Sequence, residues 1–81
     1  MSRVQMKLMM EGLIATAVEK IRVLGWEDAK EDVQKLTDVV EDLEMFWDWD
    51  GELTRTDWVA AMLDAIENAG GEVAELQQSR D

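Results

Sequence analysis

Apolar residues recur at intervals of three and four along most of the chain, which is the spacing of one face of an α-helix. The first such stretch follows Ser2, which is spaced to form a capping box with Gln5, and it ends at Gly25. We therefore predict a first helix over about residues 3–24, ended by Gly25 in the left-handed conformation common at helix ends. Its expected inner face consists of Met6, Met9, Met10, Leu13, Ala17, Ile21 and Leu24.

A second stretch has the same period and starts at another possible capping box, formed by Asp28 and Glu31. It stops before Asp50 and Gly51, a dipeptide typical of turns. We predict a second helix over about residues 28–47. Its expected inner face consists of Ala29, Val33, Leu36, Val40, Leu43 and Trp47.

A third, shorter stretch begins behind a cap at Thr54 and stops at the pair Gly70 and Gly71. We predict a third helix over about residues 55–69. Its expected inner face consists of Trp58, Ala61, Met62, Ala65, Ile66 and Ala69.

No segment alternates with the period of two that a half-buried strand requires. Around Val73 and Leu76 the apolar spacing allows one or two further helical turns, with a frayed end as the alternative. The chain is therefore predicted to be all-α, a single domain of residues 1–81. We expect a small antiparallel bundle of three helices with a short C-terminal helical tail.

The acidic residues are concentrated in one part of the chain. Residues 27–50 contain ten of the 19 acidic residues and only two lysines, so they carry −8 of the net −11. Residues 1–26 carry +2, from four cations and two acids, and residues 51–81 carry −5, from two cations and seven acids. Such a charge repels nucleic acid and anionic lipid, so we expect no direct contact with nucleic acid and no membrane. The expected partner is a basic protein surface, for which a groove that binds nucleic acid is one candidate.

The acids of the second helix are predicted to form a row opposite its apolar stripe, about 22 Å long at 1.5 Å per residue. The helix dipole favours those near its start, and solvation explains the rest of that half. Those near its end crowd the negative pole of the dipole, which makes them better candidates for binding. Trp49, placed between two aspartates, is expected to anchor a partner or to fold back over the third helix. The predicted partner-binding residues are Asp38, Glu41, Asp42, Glu44, Asp48, Trp49 and Asp50.

The segment that follows the second helix resembles the second half of an EF-hand calcium loop. In that register Gly51 takes the glycine position of the loop, and an acid opens the following helix. Phe46 stands where the family has its first acid, and the last acid is an aspartate instead of a glutamate. The resemblance implies an alternative function as a divalent-cation module, with the ligands Asp48, Asp50, Glu52 and Asp57.

The first helix has apolar or small residues on its outer side as well as its inner side. Gly12, in its middle, costs about 1 kcal/mol relative to alanine and permits another backbone to approach closely. A helix buried on two sides has this pattern, which predicts a homodimer or a subunit of a helical oligomer. The expected contact residues are Val4, Leu8, Gly12 and Ala15.

Catalytic chemistry has few residues to use, because the chain lacks cysteine and histidine and its serines are Ser2 and Ser79. We expect no enzyme and no cofactor, and a cytoplasmic location, which is the host cytoplasm if the chain is phage-encoded. The pattern predicts a small acidic interaction protein that binds and inhibits a basic partner, with mimicry of nucleic acid as one route. In size and charge, though in no motif, it resembles anti-defence and anti-CRISPR inhibitors of phages and mobile elements, and small antitoxins.

Overall fold

The computed structural model of the chain describes residues 3–46 and 56–76. These residues form three α-helices that all contact one another, and a short 3₁₀ turn, with no strand. The predicted all-α bundle of three helices is therefore confirmed. The elements are α1 (Arg3–Leu24), α2 (Trp26–Phe46), α3 (Thr56–Asn68) and the 3₁₀ turn Val73–Glu75. The Ser2 cap, Trp47 and the Thr54 cap lie outside the described residues.

A single residue, Gly25, joins α1 to α2. Its φ of 82° is left-handed, as predicted, and its N–H donates to the carbonyl of Ile21 at 2.9 Å. Its own carbonyl already accepts from the N–H of Ala29 at 3.0 Å, so Gly25 also starts α2. The predicted cap at Asp28 is thus wrong, because the one-residue connection begins α2 at Trp26. Asp28 lies inside the first turn, where the helix dipole favours its charge.

The core lies where the inner faces of the three helices meet. Leu24 is not part of it: this last residue of α1 is 46% exposed. On α3 the buried face is rotated from the predicted one, because α3 packs against both other helices. Val59 is buried and Ala61 is exposed as a result. The buried apolar residues are Met6, Met10, Ala17, Ile21, Ala29, Val33, Val40, Trp58, Val59, Met62, Ile66 and Leu76.

The C-terminal turn packs against the start of α2. The indole Nε1 of Trp26 donates to Oε1 of Glu75 at 2.6 Å, and Leu76 is buried beside it. The backbone at Gly71 lies close to the side chains of Ile66 and Trp26. A Cβ on Gly71 would be 2.6 Å from Cγ2 of Ile66 and 3.0 Å from Cε3 of Trp26. The predicted C-terminal tail is confirmed as this short docked turn.

Candidate acidic interaction face

The outer face of α2 carries a row of exposed carboxylates, which we call the acidic strip. The strip runs over about 22 Å of helix at 1.5 Å per residue, and Lys35 is an exposed cation on the same face. It faces away from the core because its members fall opposite to Val33 and Val40 on the helix. The strip consists of Glu27, Asp28, Glu31, Asp38 and Asp42.

Lys30 partly neutralises the N-terminal end of the strip. Its Nζ lies 3.1 Å from Oε1 of Glu27 and 3.9 Å from Oε1 of Glu75. The hydrogen bond to Glu27, followed by the negative charges of Glu27 and Glu75, raises the pKa of Lys30 above its ordinary value. Lys30 therefore remains cationic, and its charge acts on the first turn of α2 and not on Asp38 and Asp42, two to three turns further along.

Asp38 and Asp42 were both predicted as partner-binding residues, and both are exposed. They stand one helical turn apart, so their carboxylates can face the same surface of a partner. Asp38 accepts a hydrogen bond from Nε2 of Gln34 at 3.0 Å, which orients the carboxylate along the helix and leaves its charge unneutralised. These two residues form the C-terminal end of the acidic strip.

Glu41 and Glu44 were predicted to lie on the partner-binding surface, and the structure contradicts this. They are only 4% and 3% exposed. Oε1 of Glu44 accepts the backbone N–H of Trp58 at 3.1 Å, and Trp58 lies in the first turn of α3. A carboxylate at a helix N-terminus satisfies an otherwise unpaired N–H and is favoured by the helix dipole. Glu44 is therefore a cap for α3 and not a surface residue.

The buried face of α2 is wider than its apolar stripe. Thr37 is 1% exposed, and its hydroxyl donates to the carbonyl of Val33 at 2.8 Å. Thr37, Glu41 and Glu44 follow one another at intervals of four and three, so they form a polar row on the same side of the helix. The expectation that Glu41 is exposed is wrong because the acids of α2 were all predicted to lie opposite its apolar stripe, whereas the buried face extends beyond that stripe.

Part of the predicted site lies outside the described residues. This applies to the partner-binding residues Asp48, Trp49 and Asp50, and to Glu52 of the alternative cation site. Asp57 belongs to α3, but its side chain is not described. Within residues 3–46 and 56–76, no three acidic side chains come together as a metal ion would need. The cation-binding alternative therefore stays a prediction.

A groove of about 400 Å³ lies between α2 and the C-terminal turn. Its walls carry two lysines and two glutamates, so it has no preference for either sign of charge. The sequence did not predict it, because it exists only where the C-terminal turn packs against α2. Its lining residues are Lys30, Glu31, Gln34, Lys35, Glu75 and Leu76.

The predicted contact residues of α1 lie on an exposed face. Val4 is 67% and Leu8 is 62% exposed, and Gly12 and Ala15, further along the same face, are also exposed. No heavy atom lies within 4 Å of the position that a Cβ on Gly12 would take. Packing within the described part of the chain thus gives no reason for a glycine there.

The fold and this site together define a small all-α bundle with an acidic strip on one exposed helix. In the described ranges, no helix combines the length and apolarity that crossing a bilayer requires. Comparisons with known protein families, with curated proteins and with solved structures give no match to the chain.

Proposed function

We propose that this protein is a non-enzymatic inhibitor that binds a basic surface of another protein through the acidic strip. The observation that carries the proposal is the exposure of five carboxylates along about 22 Å of α2, with Lys35 as a cation among them. A basic groove offers the complementary surface. Cβ atoms one helical turn apart lie about 5–6 Å from one another, near the separation of phosphates along a nucleic-acid strand, and the pairs Glu27/Glu31 and Asp38/Asp42 have this spacing.

The uneven charge of the molecule supports this proposal. The segment 1–26 carries +2 while the remainder of the chain carries −13, so an approaching basic partner is steered toward the side that bears the strip. Complementary charge of this kind raises the association rate more than it raises the final affinity. Added salt screens exposed charges, since the Debye length falls from about 10 Å at 0.1 M to about 3 Å at 1 M, so association should slow and binding should weaken.

We further propose that the partner's basic surface normally receives nucleic acid, as in the nucleases, restriction complexes and CRISPR complexes that phage inhibitors occupy, or in the toxins that antitoxins neutralise. The acidic residues Asp48 and Asp50 and the intervening Trp49 follow α2 in sequence, and we propose that they also contact the partner. An aromatic side chain beside charged groups is a common anchor of protein interfaces.

Capture of a partner with two matched variants tests the proposal. The strip variant neutralises three exposed acids of α2, with Glu31→Gln, Asp38→Asn and Asp42→Asn. The control variant neutralises three exposed acids elsewhere, with Asp64→Asn, Glu67→Gln and Glu72→Gln. Both variants change the net charge from −11 to −8, so only the position of the lost charge differs.

Immobilised wild-type protein should retain a basic protein from a bacterial lysate, and duplex DNA added to the lysate should compete with that retention. The control variant should retain the same protein, and the strip variant should retain less of it. An exposed ion pair contributes about 0.2–1 kcal/mol, so the loss of three weakens binding by roughly 3- to 150-fold. Equal losses in both variants would show that net charge and not the strip is responsible. Retention that DNA does not affect would refute the nucleic-acid mimicry.

A further inference from the structure

The outer face of α1 has a composition that the monomer does not explain. Val4 and Leu8 are among the most exposed large apolar side chains of the described residues, and both lie on this face. Gly12 follows Leu8 by one turn, and a glycine inside a helix weakens it relative to alanine. Because nothing lies within 4 Å of a Cβ built on Gly12, the weakening is not offset by close packing inside the described fold.

The charges beside this face indicate what covers it. Lys7 and Glu11 lie on one flank of the apolar residues, one helical turn apart, and both are exposed. A uniformly basic or uniformly acidic partner would match only one of the two. A second copy of the same helix, running in the opposite direction, matches both at once, since each lysine then meets a glutamate of the other copy.

We propose that two copies of the protein associate through an antiparallel pairing of α1 with a two-fold axis near residues 9 and 10. In this arrangement Leu8 of each copy packs over Gly12 of the other, and Val4 packs against Ala15. Lys7 of each copy lies beside Glu11 of the other on one flank. A two-fold interface uses the same patch on both subunits, and this register satisfies that condition.

The arrangement also keeps the most acidic segment, residues 27–50, out of the interface, where its two copies would repel each other. Segment 1–26 is the only third of the sequence with a positive net charge. The acidic strip lies on the outer face of a different helix, so both strips remain exposed in the pair. Contact from Val4 to Ala15 extends over about 17 Å of helix. The surface area that such a contact buries should be smaller than that of a standard interface. We therefore expect a weak dimer, with a dissociation constant above about 1 μM.

Sedimentation equilibrium of the purified full chain from about 10 μM to 1 mM tests the proposal. The wild type should change from monomer to dimer over this range, and a species that stays monomeric at 1 mM overturns the proposal. Leu8→Lys should raise the dissociation constant at least tenfold. Val39→Lys is the matched control, because Val39 is an exposed valine on α2, outside the proposed contact. An equal effect of both substitutions would also overturn the proposal.

A charge exchange tests the antiparallel register. Lys7→Glu and Glu11→Lys should each weaken the dimer, because each places like charges opposite one another. The double variant K7E/E11K restores opposite charges and leaves the net charge at −11, so it should recover the wild-type dissociation constant within about threefold. Dimerisation that the single variants leave unchanged, or that the double variant does not recover, contradicts this register. Circular dichroism of each variant establishes that α1 remains helical.

Discussion

Removal of the Glu44 carboxylate should destabilise the fold, because this buried group connects the end of α2 to the start of α3. Its Oε1 accepts the Trp58 N–H at 3.1 Å, and Glu44 and Trp58 are only 3% and 8% exposed. Glu44→Ala leaves a buried N–H without this acceptor, which costs about 1–3 kcal/mol. Glu44→Gln keeps an acceptor but removes the charge favoured by the dipole of α3, which costs about 0.3–1 kcal/mol.

Thermal unfolding of the dilute protein, followed by circular dichroism, measures these changes. For a domain of 60–100 residues, 1 kcal/mol corresponds to about 4–8 °C in Tm. Glu44→Ala should therefore lower Tm by roughly 4–24 °C, and Glu44→Gln by a smaller amount. Asp42→Asn is the matched control, because Asp42 is an exposed acid on the same helix, and it should shift Tm by less than about 4 °C. A Tm for Glu44→Ala equal to that of the control would refute the capping role.

Three further changes have predictable directions. Gly71→Ala forces a Cβ to within 2.6 Å of the buried Ile66 side chain, and should lower the free energy of unfolding by about 1–3 kcal/mol in urea titrations. Gly12→Ala meets open space and should raise it by about 1 kcal/mol in dilute solution, while weakening the dimer at high concentration. Glu27→Gln should lower the pKa of Lys30, measured by NMR, because it weakens the hydrogen bond from Lys30 and removes the negative charge of Glu27, the two largest causes of the upward shift. Since that folded-state pKa is raised, the stabilisation by this pair is present below the ordinary lysine pKa and is lost as pH rises through the raised value.

The helices could be predicted because their apolar period and their glycines are local signals. Gly25 and the inner positions of α1 from Met6 to Ile21 needed no knowledge of the rest of the chain. The start of α2 was placed two residues late, because Asp28 resembles an N-cap and only the tertiary fold shows that Gly25 serves both helices. The rotation of α3 was also unpredictable, since it depends on contacts with two other helices at once.

The candidate site was predicted in part. Exposure of Asp38 and Asp42 follows from the period of α2, and the structure agrees. The acids near the C-terminus of α2 were interpreted as binding residues because they oppose the dipole of their own helix. For Glu44 the same observation has a different cause, since its carboxylate is used by the N-terminus of the neighbouring helix. An acid that is unfavourable in its own helix can therefore indicate a helix-to-helix cap as well as a binding surface.

The two proposed surfaces lie on different helices, so each can be altered by mutation without changing the other. The acidic strip on α2 is proposed to bind a basic partner, and the outer face of α1 is proposed to bind a second copy. A dimer presents two strips, so a partner with two basic sites would bind it more tightly than it binds the monomer. Leu8→Lys should prevent dimerisation and so leave one acidic strip per molecule, with that strip unaltered. Binding to a partner with a single basic site should therefore stay unchanged.

The dependence of partner affinity on salt tests the central claim most directly. Dissociation constants of the captured partner for the wild type, the strip variant and the control variant are measured from 50 to 500 mM NaCl. The strip variant should bind more weakly than the control variant at low salt, and the two should converge at high salt, where exposed charges are screened. Indistinguishable curves for the two variants would contradict the assignment of α2 as the binding surface.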